Sequence, residues 1–223
     1  MPPPKSRVIL GLLGPGLMLA ACTGGEDFIA KDEPWRAVEE RACLASGTVH
    51  ETAFIRTRSA LGGPSVCGAE QPFEMAAADG GRVSLKPTAL LRCPMIPQVD
   101  RWIANVIEPA ALQTYGVPLV EITVAASYAC RPMNNVPGAM LSEHGHANAL
   151  DVSAFILSDG TRITVKNGWR GDLRDRAFLH TVHDGACERF TTVLSPDYDS
   201  NHQDHMHVDL ARRGPDGLHT VCK

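Results

Sequence analysis

The sequence has few aromatic residues, no cluster of basic residues and no Cys-x-x-Cys pair. Aromatic residues make up 5% of the 223 residues, beside 16 prolines and 20 glycines, a composition that favours short elements and turns over a helical bundle. A formal net charge of −4 without clustered Lys or Arg gives no reason to expect a nucleic-acid partner. Without a Cys-x-x-Cys pair, a cysteine-based zinc or redox site is not expected.

The sequence also has no apolar run that is long enough to span a bilayer comfortably. Residues 8–19 are apolar, follow two basic residues, and end in Leu-Ala-Ala-Cys22, which resembles the lipobox of bacterial lipoproteins. We therefore predict a lipoprotein signal peptide at residues 1–21, lipidation of Cys22, and a polar tether over residues 22–33. An ordinary signal peptide followed by a coincidental cysteine is the alternative. The prediction places the protein on the periplasmic side of the bacterial envelope, anchored to a membrane by its N-terminal lipid.

With Cys22 set aside, an even number of cysteines remains, which predicts three disulfides in an exported chain. These cysteines are Cys43, Cys67, Cys93, Cys130, Cys187 and Cys222. Many pairings are compatible with six cysteines, and the sequence does not choose among them. Because each pair would tie neighbouring segments, we expect Cys43–Cys67, Cys93–Cys130 and Cys187–Cys222.

Hydrophobic periodicity predicts both helices and strands after the tether. Helices are expected at residues 34–41, at residues 95–112 with Pro109 ending or bending the helix, and at residues 173–182 with Gly185 as the stop. Strands are expected at residues 83–85, 121–126, 149–156, 162–165, 189–194 and 206–210. No repeat or interdomain linker is found. The prediction is one α+β domain over residues 34–223, with a small central antiparallel sheet, flanking helices, disulfide staples and one open zinc site.

Two short segments, residues 141–151 and 202–207, hold five of the nine histidines. In a strand over residues 205–210, the period of two would put His205, His207 and Asp209 on one face and apolar side chains on the other. A face with two histidines and a carboxylate favours a metal site, since His and Asp suit zinc by softness and geometry. Any single histidine is more often exposed or a satisfied core group. Three ligands and one open position would make a catalytic zinc site, and the predicted ligands are His144, Asp151 and His207.

At this point the sequence resembles a known group of proteins. Ser142-x-His144-x-x-Ala147-x-Ala149-x-Asp151 resembles the Ser-x-His-x-x-Gly-x-Ala-x-Asp signature of lysostaphin-type peptidases, D-Ala-D-Ala carboxypeptidases and hedgehog domains. More narrowly, the chain is similar to bacterial extensin-like C-terminal domain proteins over roughly residues 34–223. The stretches that carry this likeness include Cys93-Pro-Met, Ser127-Tyr-Ala-Cys-Arg, Leu141-Ser-Glu-His, Gly185-Ala-Cys, Phe190-Thr-Thr-Val-Leu and Asp204-His-x-His-x-Asp-Leu. Ala147 stands where the broader group has glycine, and its methyl group is expected to crowd a tight turn.

The resemblance implies one Zn²⁺ per chain, held by His144, Asp151 and His207. It implies His205 as the base with His202 assisting, as in the penicillin-insensitive murein endopeptidases. It also implies that Arg131 meets a substrate carboxylate or a developing oxyanion, the alternative being a strand-end salt bridge. The residues expected to orient the ligands are Ser142, Glu143 and Asp209.

The function that the resemblance implies is hydrolysis of peptide amide bonds in peptidoglycan, of the D,D-carboxypeptidase or endopeptidase type. The chain lacks the Ser-Pro-rich repeats of plant extensins, so its composition does not favour a structural role. The alternative is a non-catalytic zinc-containing protein that binds the cell wall or supports the envelope. A third and weaker reading is an amidase or esterase that acts outside peptidoglycan. The bond that is cut and the oligomeric state are left open.

Overall fold

The computed structural model describes residue 1 and residues 27–63 and 66–223. The predicted signal peptide beyond its first residue, and the predicted lipidation site Cys22, lie outside the described residues. Within the described ranges, no helix combines the length and apolar character needed to cross a bilayer.

A nine-stranded sheet forms the centre of the domain. Its strands are β1 Ile55–Thr57, β4 Phe73–Ala78, β5 Val83–Leu91, β6 Leu119–Ala126, β7 Ala149–Leu157, β8 Arg162–Thr164, β9 Thr192–Leu194, β10 Met206–Asp209 and β11 Val221–Cys222, while β2 Leu61–Gly62 and β3 Gly68–Ala69 pair separately. The order is β1-β4-β5-β6-β7-β10-β9-β11, and β8 pairs with β7. β5 and β6 run parallel, as do β9 and β11; the other pairs in this sheet are antiparallel.

The mixed α/β character and the disulfide staples are confirmed, but the expectation of a small antiparallel sheet is wrong. The sheet gains β1 and β4, which lie before residues 83–85, the first strand that the sequence predicted. It becomes mixed because a long helical connection returns the chain from β5 to a parallel neighbour, β6, as parallel pairing requires.

The helices are α1 Trp35–Ser46, α2 Met95–Trp102, α3 Glu108–Tyr115, α4 Val165–Gly168 and α5 Leu173–Cys187. A π-helical turn, Ile103–Ile107, joins α2 to α3, so the helix continues through Pro109 instead of ending there. Pro109 follows the π-helical turn, where the hydrogen-bond register of the helix changes and a missing backbone N–H is tolerated. Trp102 is completely buried, donates its indole N–H to the Val182 carbonyl at 3.0 Å, and thereby links α2 to α5.

The expectation that Gly185 stops α5 is wrong, since the helix runs to Cys187. Gly185 lies against the π-helical turn, where an added Cβ atom would come within 2.5 Å of Val106 Cγ1. The missing side chain therefore serves close helix packing instead of helix termination.

Three disulfides join Cys43 to Cys93, Cys67 to Cys130 and Cys187 to Cys222. Only the last of the expected pairings is correct. The two others span 50 and 63 residues, because α1 lies against the segment before α2 and the β2–β3 hairpin lies against the segment after β6. The pairing follows tertiary contacts between distant segments, which proximity in sequence does not report.

Candidate metal centre

The candidate metal centre lies where β7 and β10 run side by side. Asp151 of β7 and His207 of β10 are opposite each other in register. Their neighbours along both strands are buried in the core beneath the helices, so the period of two turns these two side chains to the other face of the sheet. His144 reaches the same place from a 3₁₀ turn, Glu143–His146, which immediately precedes β7.

Three side-chain donors converge there. His144 Nε2 lies 3.1 Å from Asp151 Oδ2 and 3.2 Å from His207 Nδ1, and His207 Nδ1 lies 2.8 Å from Asp151 Oδ1. All three side chains are buried. Ligand atoms at zinc-binding distance around a tetrahedral ion are roughly 3.3 Å apart, so the group fits one small divalent ion with little rearrangement.

The outer nitrogen of each histidine already has an acceptor. His144 Nδ1 donates to the carbonyl oxygen of Ser127 at 2.5 Å, and His207 Nε2 donates to Asp209 Oδ2 at 3.1 Å. These hydrogen bonds keep the ring protons on His144 Nδ1 and His207 Nε2. The lone pairs of His144 Nε2 and His207 Nδ1 are therefore directed at one another and at the Asp151 carboxylate. Such a group needs a cation at its centre, either a proton or a metal ion, and ligand histidines in metal sites have the same outer hydrogen bonds.

The protonation of the cluster follows from the same contacts. Burial opposes a charge on His207, but its hydrogen bonds to Asp151 and Asp209 raise its pKa to about 10. Burial likewise opposes a charge on Asp151, yet the hydrogen bonds from His144 and His207 hold its pKa well below the usual range of a carboxyl group. A proton therefore occupies the cluster at neutral pH whenever no metal ion competes for it.

Metal binding is expected to release about one proton, because the His207 nitrogen that would face the ion is protonated below its raised pKa. Between about pH 6 and pH 8 the association constant for Zn²⁺ should then rise about tenfold per pH unit. Calorimetric titration in two buffers of different ionisation enthalpy measures the released proton. His50→Asn, outside the cleft, is the matched control. A binding heat that is the same in both buffers would contradict the expected competition.

A cleft of about 300 Å³ opens over the cluster. Its lining includes the other residues predicted for the site, namely Arg131, Ser142, Glu143, His202, His205 and Asp209. The last strand of the chain closes one side, since Val221 of β11 also lines the cleft. The structure therefore brings all the predicted ligand, base and arginine positions to one place.

The two histidines beside the cluster each have a carboxylate partner that the sequence did not reveal. His205 Nδ1 lies 2.9 Å from Asp204 Oδ1, and its Nε2 lies 3.7 Å from Asp151 Oδ2. His202 Nδ1 lies 2.6 Å from Asp199 Oδ1, and burial lowers the pKa of His202 despite that carboxylate. The two rings are 5.2 Å apart between centroids. Each carboxylate lies within three residues of its histidine in the sequence. This short spacing is the sequence feature from which the two pairs could have been predicted.

The expected orienting residues have different partners. Ser142 caps the turn, its hydroxyl oxygen accepting the His144 N–H at 3.4 Å, and Asp209 contacts His207 directly. Glu143 lines the cleft, and its carboxylate accepts two hydrogen bonds from Arg36 of α1, at 2.6 and 2.7 Å, and one from Asn148 at 2.6 Å. Glu143 thus fastens the ligand-bearing turn to the first helix, a long-range contact for which the sequence gives no signal.

Two further arginines border the cleft differently. Arg131 donates to the Pro132 carbonyl at 3.4 Å, and no carboxylate among the described residues lies within ion-pair distance of it. Arg213 donates from Nε to the Thr192 hydroxyl at 3.0 Å and lies 3.4 Å from Asp209 Oδ2. Among the described residues, Arg131 is therefore the cleft arginine without a carboxylate partner, whereas Arg213 supports the carboxylate behind His207.

Ala147, the departure from the signature, closes the turn in a left-handed conformation with φ 51°. Its N–H donates to the His144 carbonyl at 3.1 Å, so the strain lies directly beside a ligand. Ala147→Gly is expected to raise the free energy of unfolding by about 0.5–1 kcal/mol, because glycine adopts positive φ without steric cost. Urea denaturation of the wild type and the variant measures this change in the free energy of unfolding. Ala149→Gly, two residues on in extended β7, should instead lower stability, and equal losses in both variants would contradict the strain.

A second cluster of metal-binding residue types, His183 with Cys187 and Cys222, has a different character. Its two sulfur atoms are joined in a disulfide and cannot act as thiolates. Of the two groups, the one in the cleft has the donors that fit zinc.

Residues 41–223 match a family model described as the extensin-like protein C-terminus. The match includes all three disulfides, the candidate metal centre and the whole lining of the cleft. No curated protein and no solved structure matches the chain. The predicted likeness to extensin-like proteins is thereby confirmed, whereas membership of the wider metallopeptidase group stays a prediction. The chain belongs to the extensin-like protein C-terminus family.

Proposed function

We propose that the protein is a lipid-anchored zinc metallopeptidase of the bacterial envelope that hydrolyses peptide amide bonds in peptidoglycan. The observation that carries the proposal is the convergence of His144, Asp151 and His207 at the floor of an open cleft, with His205 beside them. Three protein ligands with space for a further group are the pattern of catalytic zinc sites.

His144, Asp151 and His207 would hold the ion, and Asp209 and the Ser127 carbonyl would fix the two rings from outside. A zinc ion bound there supplies a Lewis acid, which lowers the pKa of water to about 7 and polarises a carbonyl group. The chain itself must supply a proton acceptor, a donor for the leaving amine and a site for developing negative charge.

His205 fits the proton acceptor. Asp204 accepts a hydrogen bond from its Nδ1, which leaves the Nε2 lone pair facing the cluster. His205 would take a proton from the attacking water and return it to the amine that leaves. His202, which is neutral at neutral pH because burial lowers its pKa, lies alongside and assists.

Arg131 fits the charge-binding role. Its guanidinium borders the cleft without a carboxylate partner among the described residues, so it is free to bind a carboxylate of a stem peptide or the developing oxyanion. The cleft volume of about 300 Å³ is enough for a short peptide segment at the reaction centre. Peptidoglycan peptides, the substrates that the resemblance to murein peptidases implies, are compatible with both features.

The location is part of the proposal. The lipobox-like sequence ending at Cys22 would place the domain on the periplasmic side of a bacterial membrane, and three disulfides suit that oxidising compartment. Anchoring by acyl chains on a single residue is firm, since each buried methylene contributes about 0.8 kcal/mol.

A second candidate is a non-catalytic envelope protein whose zinc supports the fold or the binding of the cell wall. The separation of 3.7 Å between His205 Nε2 and Asp151 Oδ2 favours it, because this is an ion-pair distance, and a protonated His205 would stabilise the carboxylate of the site instead of accepting a proton. The two candidates predict the same metal content and differ only in whether a bond is cut.

The deciding experiment incubates the zinc-loaded full chain with purified sacculi and identifies the released muropeptides by mass spectrometry. The peptidase proposal expects shortened stems or separated crosslinked dimers, and no products after chelation of the metal. Sacculi that bind the zinc-loaded protein but release nothing would contradict the peptidase and favour the second candidate.

A further inference from the structure

We infer that an apolar patch on the rim of the cleft contacts the lipid bilayer in which Cys22 is anchored, an inference that rests on the lipid anchor of the proposed function. The patch consists of Ile29, Met133, Val136 and Met140. It is built by a small ribbon outside the main sheet, in which the chain just after the predicted anchor pairs with the loop that borders the cleft.

The ribbon has three short extended segments. Ile29 pairs with Met140 in parallel, and Pro132 pairs with Leu141 in antiparallel fashion. The Ile29 N–H donates to the Ala139 carbonyl at 2.8 Å, and the Leu141 N–H donates to the Ile29 carbonyl at 3.0 Å. The Met133 N–H donates to the Met140 carbonyl at 2.8 Å. Residues 27–29, within the predicted tether, are thus part of the folded domain.

Side chains alternate between the two faces of the ribbon. Phe28 and Leu141 are buried together with Cys67 on the inner face. On the outer face Ile29, Met133 and Met140 are 55%, 41% and 39% exposed, and Val136 at the loop tip is 54% exposed. The alternation of Phe28 with Ile29 and of Met140 with Leu141 follows from their extended backbone. Met133 begins a 3₁₀ turn, and Val136 follows that turn. Ile29 and Met133 both lie beside Met140 through their backbone pairing, so the three exposed side chains are neighbours instead of scattered exposures.

The composition of the loop suits a lipid surface. Residues 132–142 contain no charged side chain, so the loop can approach an interface without the desolvation of an ion. The outward residues are flexible or branched apolar side chains of the kind that enter the boundary between headgroups and acyl chains.

The length of the chain identifies the bilayer as the occupant. Asp27, where the ribbon begins, is five residues after Cys22, and even a fully extended backbone spans only about 18 Å over that distance. An acylated Cys22 lies at the membrane surface, so the patch is held within that reach of the lipid. Met133 also lines the cleft, which would therefore open beside the membrane surface.

The test uses the full chain, reconstituted into phosphatidylethanolamine and phosphatidylglycerol vesicles whose acyl chains carry bromine, a quencher of tryptophan fluorescence. Met140→Trp introduces the probe in the patch, and Leu173→Trp introduces it at the start of α5, where the native side chain is 74% exposed. We expect bromine to remove most of the emission that Met140→Trp adds, and to leave the emission that Leu173→Trp adds unchanged.

Mass spectrometry of the N-terminal peptide reports acylation separately. If Cys22 is acylated and bromine does not quench the Met140→Trp probe, the membrane contact is overturned while the anchor stands. If Cys22 is not acylated, both are overturned. A Met140→Trp emission that changes with added sacculi but not with lipid would likewise overturn the inference and assign the patch to the cell wall.

Discussion

His205→Ala is expected to lower the rate of the proposed muropeptide hydrolysis by about 10²–10⁴-fold, the range that general base catalysis contributes, while the proposed zinc ion is retained. The reason is the position of the ring. His205 faces the cluster with Nε2 and is held by Asp204 at Nδ1, but it is outside the group of three converging ligands. The release of products from sacculi measures the hydrolysis rate, and mass spectrometry measures the zinc content of the same preparation.

Two controls sharpen this expectation. His50→Ala, remote from the cleft, should change neither quantity, and added imidazole should partly restore the activity of His205→Ala if the lost group is a base. Loss of zinc in His205→Ala would instead assign the contact with Asp151 to stabilisation of the metal centre. Full activity in the variant would remove His205 from the mechanism.

Asp151→Asn is expected to reduce zinc affinity by on the order of 100-fold or more, since even outer partners of ligands contribute 10–100-fold. The amide preserves the size of the side chain but removes the charge that converges with His144 and His207. Competition with a chromogenic chelator measures the affinity. Because one of the two carboxylates that raise the His207 pKa is also lost, the variant should release fewer protons on binding.

The carboxylates around the site offer graded comparisons for Asp151→Asn. Asp209→Asn should weaken binding by about 10–100-fold through His207. Glu143→Gln should leave the affinity within a few-fold of wild type, because Glu143 is bound to Arg36 and not to the cluster. Equal affinities for wild type and Asp151→Asn would contradict the assignment of the metal to this group.

Local patterns predicted the parts of the site that local geometry decides. A period of two along residues 205–210 separates His207 and Asp209 from the apolar face, and the structure has them on one side of β10. Periodicity could not predict the register that sets Asp151 opposite His207, because these residues are 56 positions apart and lie on two different strands. The family resemblance predicted that Asp151 and His207 lie at one metal site, and no local sequence pattern did.

The errors have a common physical origin in long-range packing. Cys43 pairs with Cys93 because α1 docks there, and Arg36 of the same helix holds Glu143. Gly185 was expected to be a helix stop because glycine often is, but its role is set by Val106, a residue about eighty positions earlier. Sequence patterns indicate the secondary structure that each segment prefers. The disulfide pairing and the packing at Gly185 depend instead on which distant segments come into contact.

Strand β11 has a consequence for the integrity of the cleft. β11 contributes Val221 to the cleft and is tied to α5 by the disulfide between Cys187 and Cys222. A two-residue strand has little pairing energy of its own, so this wall depends on the covalent link. The Cys187–Cys222 disulfide therefore fixes the cleft wall that Val221 forms. Reduction of this one disulfide is thus expected to open the cleft on the side of β11, while the candidate metal donors on β7, β10 and the turn before β7 are not tied to it.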